Sequence, residues 1–121
     1  MHINPLLHAA PTGAPTAVRV VSVNLTTIKI SWAPINCIQE NSIIKNYIVY
    51  YRKRSELQNS KKSVSVSANV INATIHELNP NTEYVLDVEA VNVNYLSSPS
   101  AKLSVNTSVP KGTRVLTNYL V

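Results

Sequence analysis

Leu78-Asn79-Pro80-Asn81-Thr82-Glu83-Tyr84, running on into Val85-Leu86-Asp87-Val88-Glu89-Ala90-Val91, is the stretch that decides the fold. Tyr84, Leu86, Val88 and Ala90 fall on one side of a two-residue repeat. Val85, Asp87, Glu89 and Val91 fall on the other. Period two is the signature of a strand, so the first set is expected to face a core and the second to face out. The Asn-Pro-Asn turn ahead of it sets the chain direction, and Leu78 is expected to plug the end of the layer below.

The same alternation recurs on both sides of this strand. Ile28-Lys29-Ile30-Ser31-Trp32 places Ile28, Ile30 and Trp32 on one face, and Ala33-Pro34 ends it because proline cannot donate to a ladder. Tyr47, Val49 and Tyr51 point inward from a third segment, with Ile48 and Tyr50 outward. Val18, Val20 and Val23 form the expected inner face of the first segment, where the broken spacing of the last two predicts a bulge. Val64-Ser65-Val66 is a short fourth strand. Ile71, Ala73 and Ile75 supply a fifth, and Ala101, Leu103 and Val105 a seventh beyond Pro99. Seven such segments with regular turns between them predict an all-β sandwich.

Composition agrees with that class. The chain has 121 residues, enough for one domain, and 45% of them are apolar. Valine and isoleucine dominate, Trp and Met occur once each, and Phe is absent, a β-branched supply that suits strands. No window approaches the roughly 18 apolar residues that a membrane-spanning helix needs. Cys37 is the single cysteine, so no internal disulfide can form and packing alone must hold the sheets. As a lone loop thiol it is either silent, reactive or paired with another chain.

The spacing of Trp32, the Tyr47–Tyr51 strand, Leu78, Pro80 and Tyr84 resembles the fibronectin type III family over residues 14–108. The resemblance implies a seven-stranded immunoglobulin-like sandwich without a disulfide, built on Trp32, Tyr47, Val49, Leu78, Tyr84, Leu86 and Val88. It implies that Trp32 fills the centre of the core, where losing the ring costs about 3–5 kcal/mol. It also implies a tyrosine corner, in which the Tyr84 hydroxyl bonds back to the chain near Leu78. Residues 1–13, with Pro5, Pro11 and Gly13, read as a lead-in, and 109–121 as a linker or tail. The N-terminus carries no basic leader or long apolar run, and the expectation is a module of a larger protein. Departures from the family pattern are asparagines where glycines are common, at Asn41-Ser42 and at Asn92-Val93-Asn94. The Arg-Gly-Asp tripeptide and the Trp-Ser repeat are missing, which removes integrin binding by that route and a cytokine-receptor role.

Chemistry is sparse. His2, His8 and His76 are the only histidines, no carboxylate stands at a motif spacing, and two glycines cannot make a phosphate loop. The expectation is a non-enzymatic domain with no cofactor and no metal, with His76 pointing to solvent. A net charge of +5 comes from 11 basic against 6 acidic residues. Its densest run is Arg52, Lys53 and Arg54 with Lys61 and Lys62, either a docking edge for sulfated glycan or acidic protein, or a solvated edge that deters strand pairing. No aromatic-basic stacking pattern accompanies it, which argues against nucleic acid. Tyr95 and Leu96 are apolar residues in a loop, either partner contacts or packed on the sandwich end. Asn24, Asn72 and Asn106 head N-glycosylation triplets.

The functional expectation is a protein-interaction and spacer module of a cell-surface receptor or adhesion protein, contacting a protein partner or neighbouring modules. The contact is expected through its loops, the sheet face with Ile48 and Tyr50, or the basic edge. The alternatives are an intracellular scaffold module of cytoskeletal type and an accessory module beside a catalytic domain such as a receptor phosphatase or kinase.

Overall fold

Two antiparallel sheets face each other across a single apolar layer. The structure, a computed structural model, describes residues 14–35, 44–92 and 97–110. One sheet has the order β1-β2-β5, from β1 (Thr16–Val23), β2 (Ile28–Ala33) and β5 (Asn72–Ile75). The other has β4 (Lys62–Ser67), β3 (Ile44–Lys53) and β6 (Glu83–Asn92) side by side. Beyond β6 lie β7 (Ser97–Pro99) and β8 (Leu103–Asn106), both paired with β6. These two are one seventh strand interrupted at Ser100. There the side chain stands in for the ladder: Val88 N donates to Ser100 Oγ at 2.8 Å, while Ser100 N donates to Val88 O at 2.7 Å.

Trp32 is 1% exposed at the centre, packed on Tyr47 with ring centroids 5.4 Å apart and planes tilted by 60°. That tilted pairing is a favoured aromatic geometry. The Tyr47 hydroxyl accepts from Ile35 N at 3.1 Å, fixing the ring from behind. Among the described residues the indole N–H of Trp32 has no acceptor, a cost of about 1–3 kcal/mol that burial of the large ring must exceed. Ile28, Ile30 and Ile75 from one sheet and Val49, Leu86 and Val88 from the other complete the centre.

One end of the sandwich is closed by hydrogen bonds. Tyr84 is buried, and its hydroxyl accepts from Asn79 N at 2.8 Å, one residue beyond buried Leu78. Leu78 N donates to Thr26 O at 2.8 Å, which ties the corner to the β1–β2 turn. Thr107, almost wholly buried, ties the end of β8 to the corner turn: its hydroxyl donates to Asn79 O at 2.6 Å and accepts from Thr82 N at 3.0 Å, and its own N–H donates to Thr82 O at 3.0 Å. Asn81 takes the left-handed turn position, φ 50°, which asparagine tolerates.

Several sequence expectations need correction. Val20 and Val23 are 37% and 39% exposed, so of that trio only Val18 packs against the core. The register keeps both on the core face, Val20 beside Ile30 and Val23 beside Ile28, with a slip between Val20 and Ser22 where a bulge was predicted. They are wet because β1 is an edge strand with, among the described residues, no neighbour on its far side. Ile71 precedes β5 and is exposed, contributing its carbonyl to Trp32 N at 3.0 Å instead of its side chain to the core. Ala101 is exposed in the interruption between β7 and β8. Conversely, Val85, Asp87 and Val91, assigned to an outward face, are 6%, 8% and 6% exposed. They do lie on the outer face of β6, but β6 is flanked by β3 on one side and β7 and β8 on the other.

Candidate functional site

The basic run divides in the fold: Arg52, Lys53 and Lys62 line one notch, and Arg54 and Lys61 do not. Alternation along β3 sends Arg52 to the outer face and Lys53 toward the sandwich end, and the loop after them separates the rest. The Arg52 guanidinium is spent on its own loop: Nε donates to Gln58 Oε1 at 3.1 Å, and one terminal nitrogen donates to the carbonyls of Lys53, Arg54 and Glu56 at 3.0–3.3 Å. It is a staple for the turn carrying the 3-10 segment at Gln58–Ser60. Arg54 pairs with Glu83 at 3.7 Å between two well-exposed side chains, a contact worth about 0–1 kcal/mol. Lys61 sits 4.1 Å above the Tyr50 ring, a cation–π contact on the outer face of the larger sheet.

Lys53 and Lys62 line a notch of about 180 Å³ at the corner, with His76, Glu77, Glu56 and Leu78 around it. Glu56 is anchored there by accepting from Lys53 N at 3.0 Å. The notch therefore mixes two lysines, the Arg52 side chain and an exposed imidazole with two carboxylates. Among the described residues no group of three or more His, Cys, Asp or Glu side chains could hold a metal ion.

The outer face of the larger sheet is a second, ordered surface. The Tyr50 hydroxyl donates to Glu89 Oε1 at 3.0 Å across the β3–β6 pair. Burial first, then this bond and the negative charges of Glu89 and Asp87, hold the phenol above the ordinary tyrosine value of 10.0. Lys102 Nζ lies 3.4 Å from Asp87 Oδ2, covering a carboxylate that the sheet almost hides. Sequence reading found Tyr50 and Ile48 as outward apolar residues but not this network, because cross-strand partners depend on register.

Of the remaining residues singled out in the sequence, Asn24, Asn72 and Asn106 are all exposed. Asn24 Oδ1 also accepts from Thr26 N, Thr27 N and Thr27 Oγ1 at 2.7–3.0 Å, forming the β1–β2 turn. Cys37, Tyr95 and Leu96 lie outside the described residues, as do His2 and His8. Thr107 is the structural residue that the sequence did not announce; it stood only as the middle of a triplet, and nothing in its neighbours marks a buried hydroxyl.

The two-sheet sandwich agrees with comparison to known proteins. The model of the fibronectin type III domain matches residues 13–106. The chain belongs to the fibronectin type III family. It is 34% identical over 80 residues to receptor-type tyrosine-protein phosphatase F of Danio rerio, spanning 66% of this chain and 4% of that protein. It is 30% identical over 98 residues to contactin-1 of Gallus gallus, spanning 81% of this chain and 9% of that protein. The chain thus spans less than a tenth of the length of these curated relatives. Among solved structures, the FN1-FN3 domains of chicken CNTN1 superpose with a TM-score of 0.74 at 27% identity, over 82% of this chain and 33% of that one. The fn3 domain of human contactin 1 superposes at 0.75 with 24% identity, covering 91% and 88%. Among the described residues no helix is long and apolar enough to cross a membrane.

Proposed function

We propose that this fibronectin type III chain is a non-catalytic interaction and spacer module of a larger cell-surface receptor or adhesion protein. The observation that carries this reading is the likeness to contactin-1 and a receptor-type phosphatase, each far longer than the matched region. The fold supports it: a rigid sandwich with its polar groups met at the Tyr84 corner holds loops and faces in fixed relation, the physical requirement of a spacer. In this reading the basic edge contacts sulfated glycan through Lys53, Lys61 and Lys62, since Arg52 and Arg54 are engaged within the chain. Exposed Asn24, Asn72 and Asn106 are its acceptors for N-glycan.

The experiment is antibody labelling of this module in its full-length protein on intact and on permeabilised cells. Labelling of intact cells is the expected result. Labelling only after permeabilisation overturns the reading in favour of an intracellular scaffold. The phosphatase likeness favours one second reading, an accessory module beside a catalytic domain, which a phosphatase motif downstream in the same reading frame would identify. For the basic edge, retention on heparin is expected to fall with salt, and Lys61→Glu with Lys62→Glu to elute earlier. Elution at the parent's salt would return that edge to a solvated role.

A further inference from the structure

We infer that strand β4 is a self-pairing edge, through which two copies of this chain join their larger sheets by antiparallel β4–β4 contact about a two-fold axis at Ser65. The inference starts from a comparison of the sheet edges. β1 is an edge broken by two register slips and by Ala17 at φ 53°. β5 is an edge of four residues. The β7–β8 edge is cut at Ser100 and contains Pro99. Bulges, short length, proline and edge lysines are the devices by which edges resist pairing. β4 has only the last, confined to Lys62 at its first position. It keeps six residues in unbroken register with β3, from Asn46 opposite Ser67 to Tyr51 opposite Lys62, and among the described residues pairs with β3 alone.

The occupant follows from the sequence of that edge. Ser63-Val64-Ser65-Val66-Ser67 reads the same in both directions. Antiparallel pairing centred on Ser65 therefore sets Ser63 opposite Ser67, Val64 opposite Val66 and Ser65 opposite itself, the self-complementarity an isologous interface requires. The half-buried Val64 and Val66 meet on the core side and the exposed serines on the outer side. Charge selects the direction. In this arrangement the two Lys62 side chains stand six residues apart along the strands, about 20 Å at the usual rise. Parallel, in-register stacking would set them side by side, about 4.8 Å apart. The lysines at the end of β4 thus act against open-ended stacking and permit the closed pair, which consumes both edges.

The test uses the 121-residue chain in two measurements. Sedimentation equilibrium is expected to show a monomer–dimer equilibrium, weakened about tenfold or more by Ser65→Lys, which sets two like charges opposite each other. Ser65 is exposed, so the thermal transition of the variant checks that the fold persists. In a Cys37→Ser background, Ser65→Cys is expected to oxidise to a disulfide-linked dimer, since Cα atoms of opposed strand residues lie about 4.5–5.5 Å apart. Ser63→Cys, whose opposite residue is Ser67, is expected to stay unlinked. A chain that remains monomeric to about 1 mM, a Kd limit weaker than about −4 kcal/mol, overturns the inference. So does equal crosslinking of the two cysteine variants, which would mean collision without register. Capture of an extended segment of another protein by a monomeric chain also counts against it.

Discussion

The two sheets share one core, yet their outer faces differ. β2 and β6 are both flanked by strands on each side. Behind β2, Lys29 and Ala33 remain half-exposed and only the small Ser31 is buried. Behind β6, Val85, Asp87 and Val91 are almost as buried as the core. The neighbours account for the difference. Lys29 stands between Ser22 and Thr74, and Ser31 between Arg19 and Asn72, on short or slipped edges. Val85 stands between Arg52 and Ser104, and Asp87 beside Tyr50 with Lys102 against it. Alternation therefore assigns a side chain to a face, while the length and anchoring of its cross-strand neighbours decide whether that face is wet.

The largest effect belongs to the shared interior. Trp32→Ala is expected to cost about 3–5 kcal/mol in denaturant unfolding, a large fraction of a small domain's stability. A loss below about 1 kcal/mol would mean that the ring is not the centre of both sheets. The comparison of outer faces is sharpened by a matched pair. Val85→Ala should lose about 1.5 kcal/mol, near the value for two buried methylene-sized groups. Val21→Ala, on exposed β1, should stay within about 0.5 kcal/mol. Equal losses at the two sites would break the distinction.

A smaller change is expected at the corner. Tyr84→Phe removes the acceptor for Asn79 N and should cost about 0.5–1.5 kcal/mol, since Asn79 is exposed and water can replace the lost partner. The least change at neutral pH is expected for Tyr50→Phe, whose signature lies in alkali. The folded state holds the Tyr50 phenol above 10.0, so its neutral form is favoured by folding. That contribution is complete below the unfolded value and is lost as pH rises through the higher folded one. Parent and Tyr50→Phe stabilities should therefore run parallel below pH about 10 and converge or cross above it. Parallel curves throughout would place Tyr50 in water.

Much of this was legible beforehand. Trp32, Tyr47 and Tyr84 are large, alternate with polar residues and follow turn-forming stretches, so their direction is written in local sequence. The bulge in β1 is legible as a broken spacing, and Val20 and Val23 do fall beside inward Ile30 and Ile28. Their exposure is not legible, because it depends on β1 lying at the sheet edge. Ile71 and Ala101 were misassigned for a different reason: each lies one or two residues beyond a strand end, where period two no longer applies. The basic run looked like one patch because five cations are close in sequence. Only the loop geometry shows that Arg52 folds back on three carbonyls while Lys61 covers a tyrosine. Hydrogen bonds of that kind leave no trace in spacing.

Native-state hydrogen exchange tests the organisation of the sandwich around β6 most directly, since amides in buried strands exchange only through global opening and those on slipped edges through local opening. The β6 amides from Tyr84 to Val91 are expected to be the slowest in the chain and to share one opening free energy equal to that of global unfolding, with β1 amides exchanging much faster. Exchange from β6 as rapid as from β1 would contradict the account.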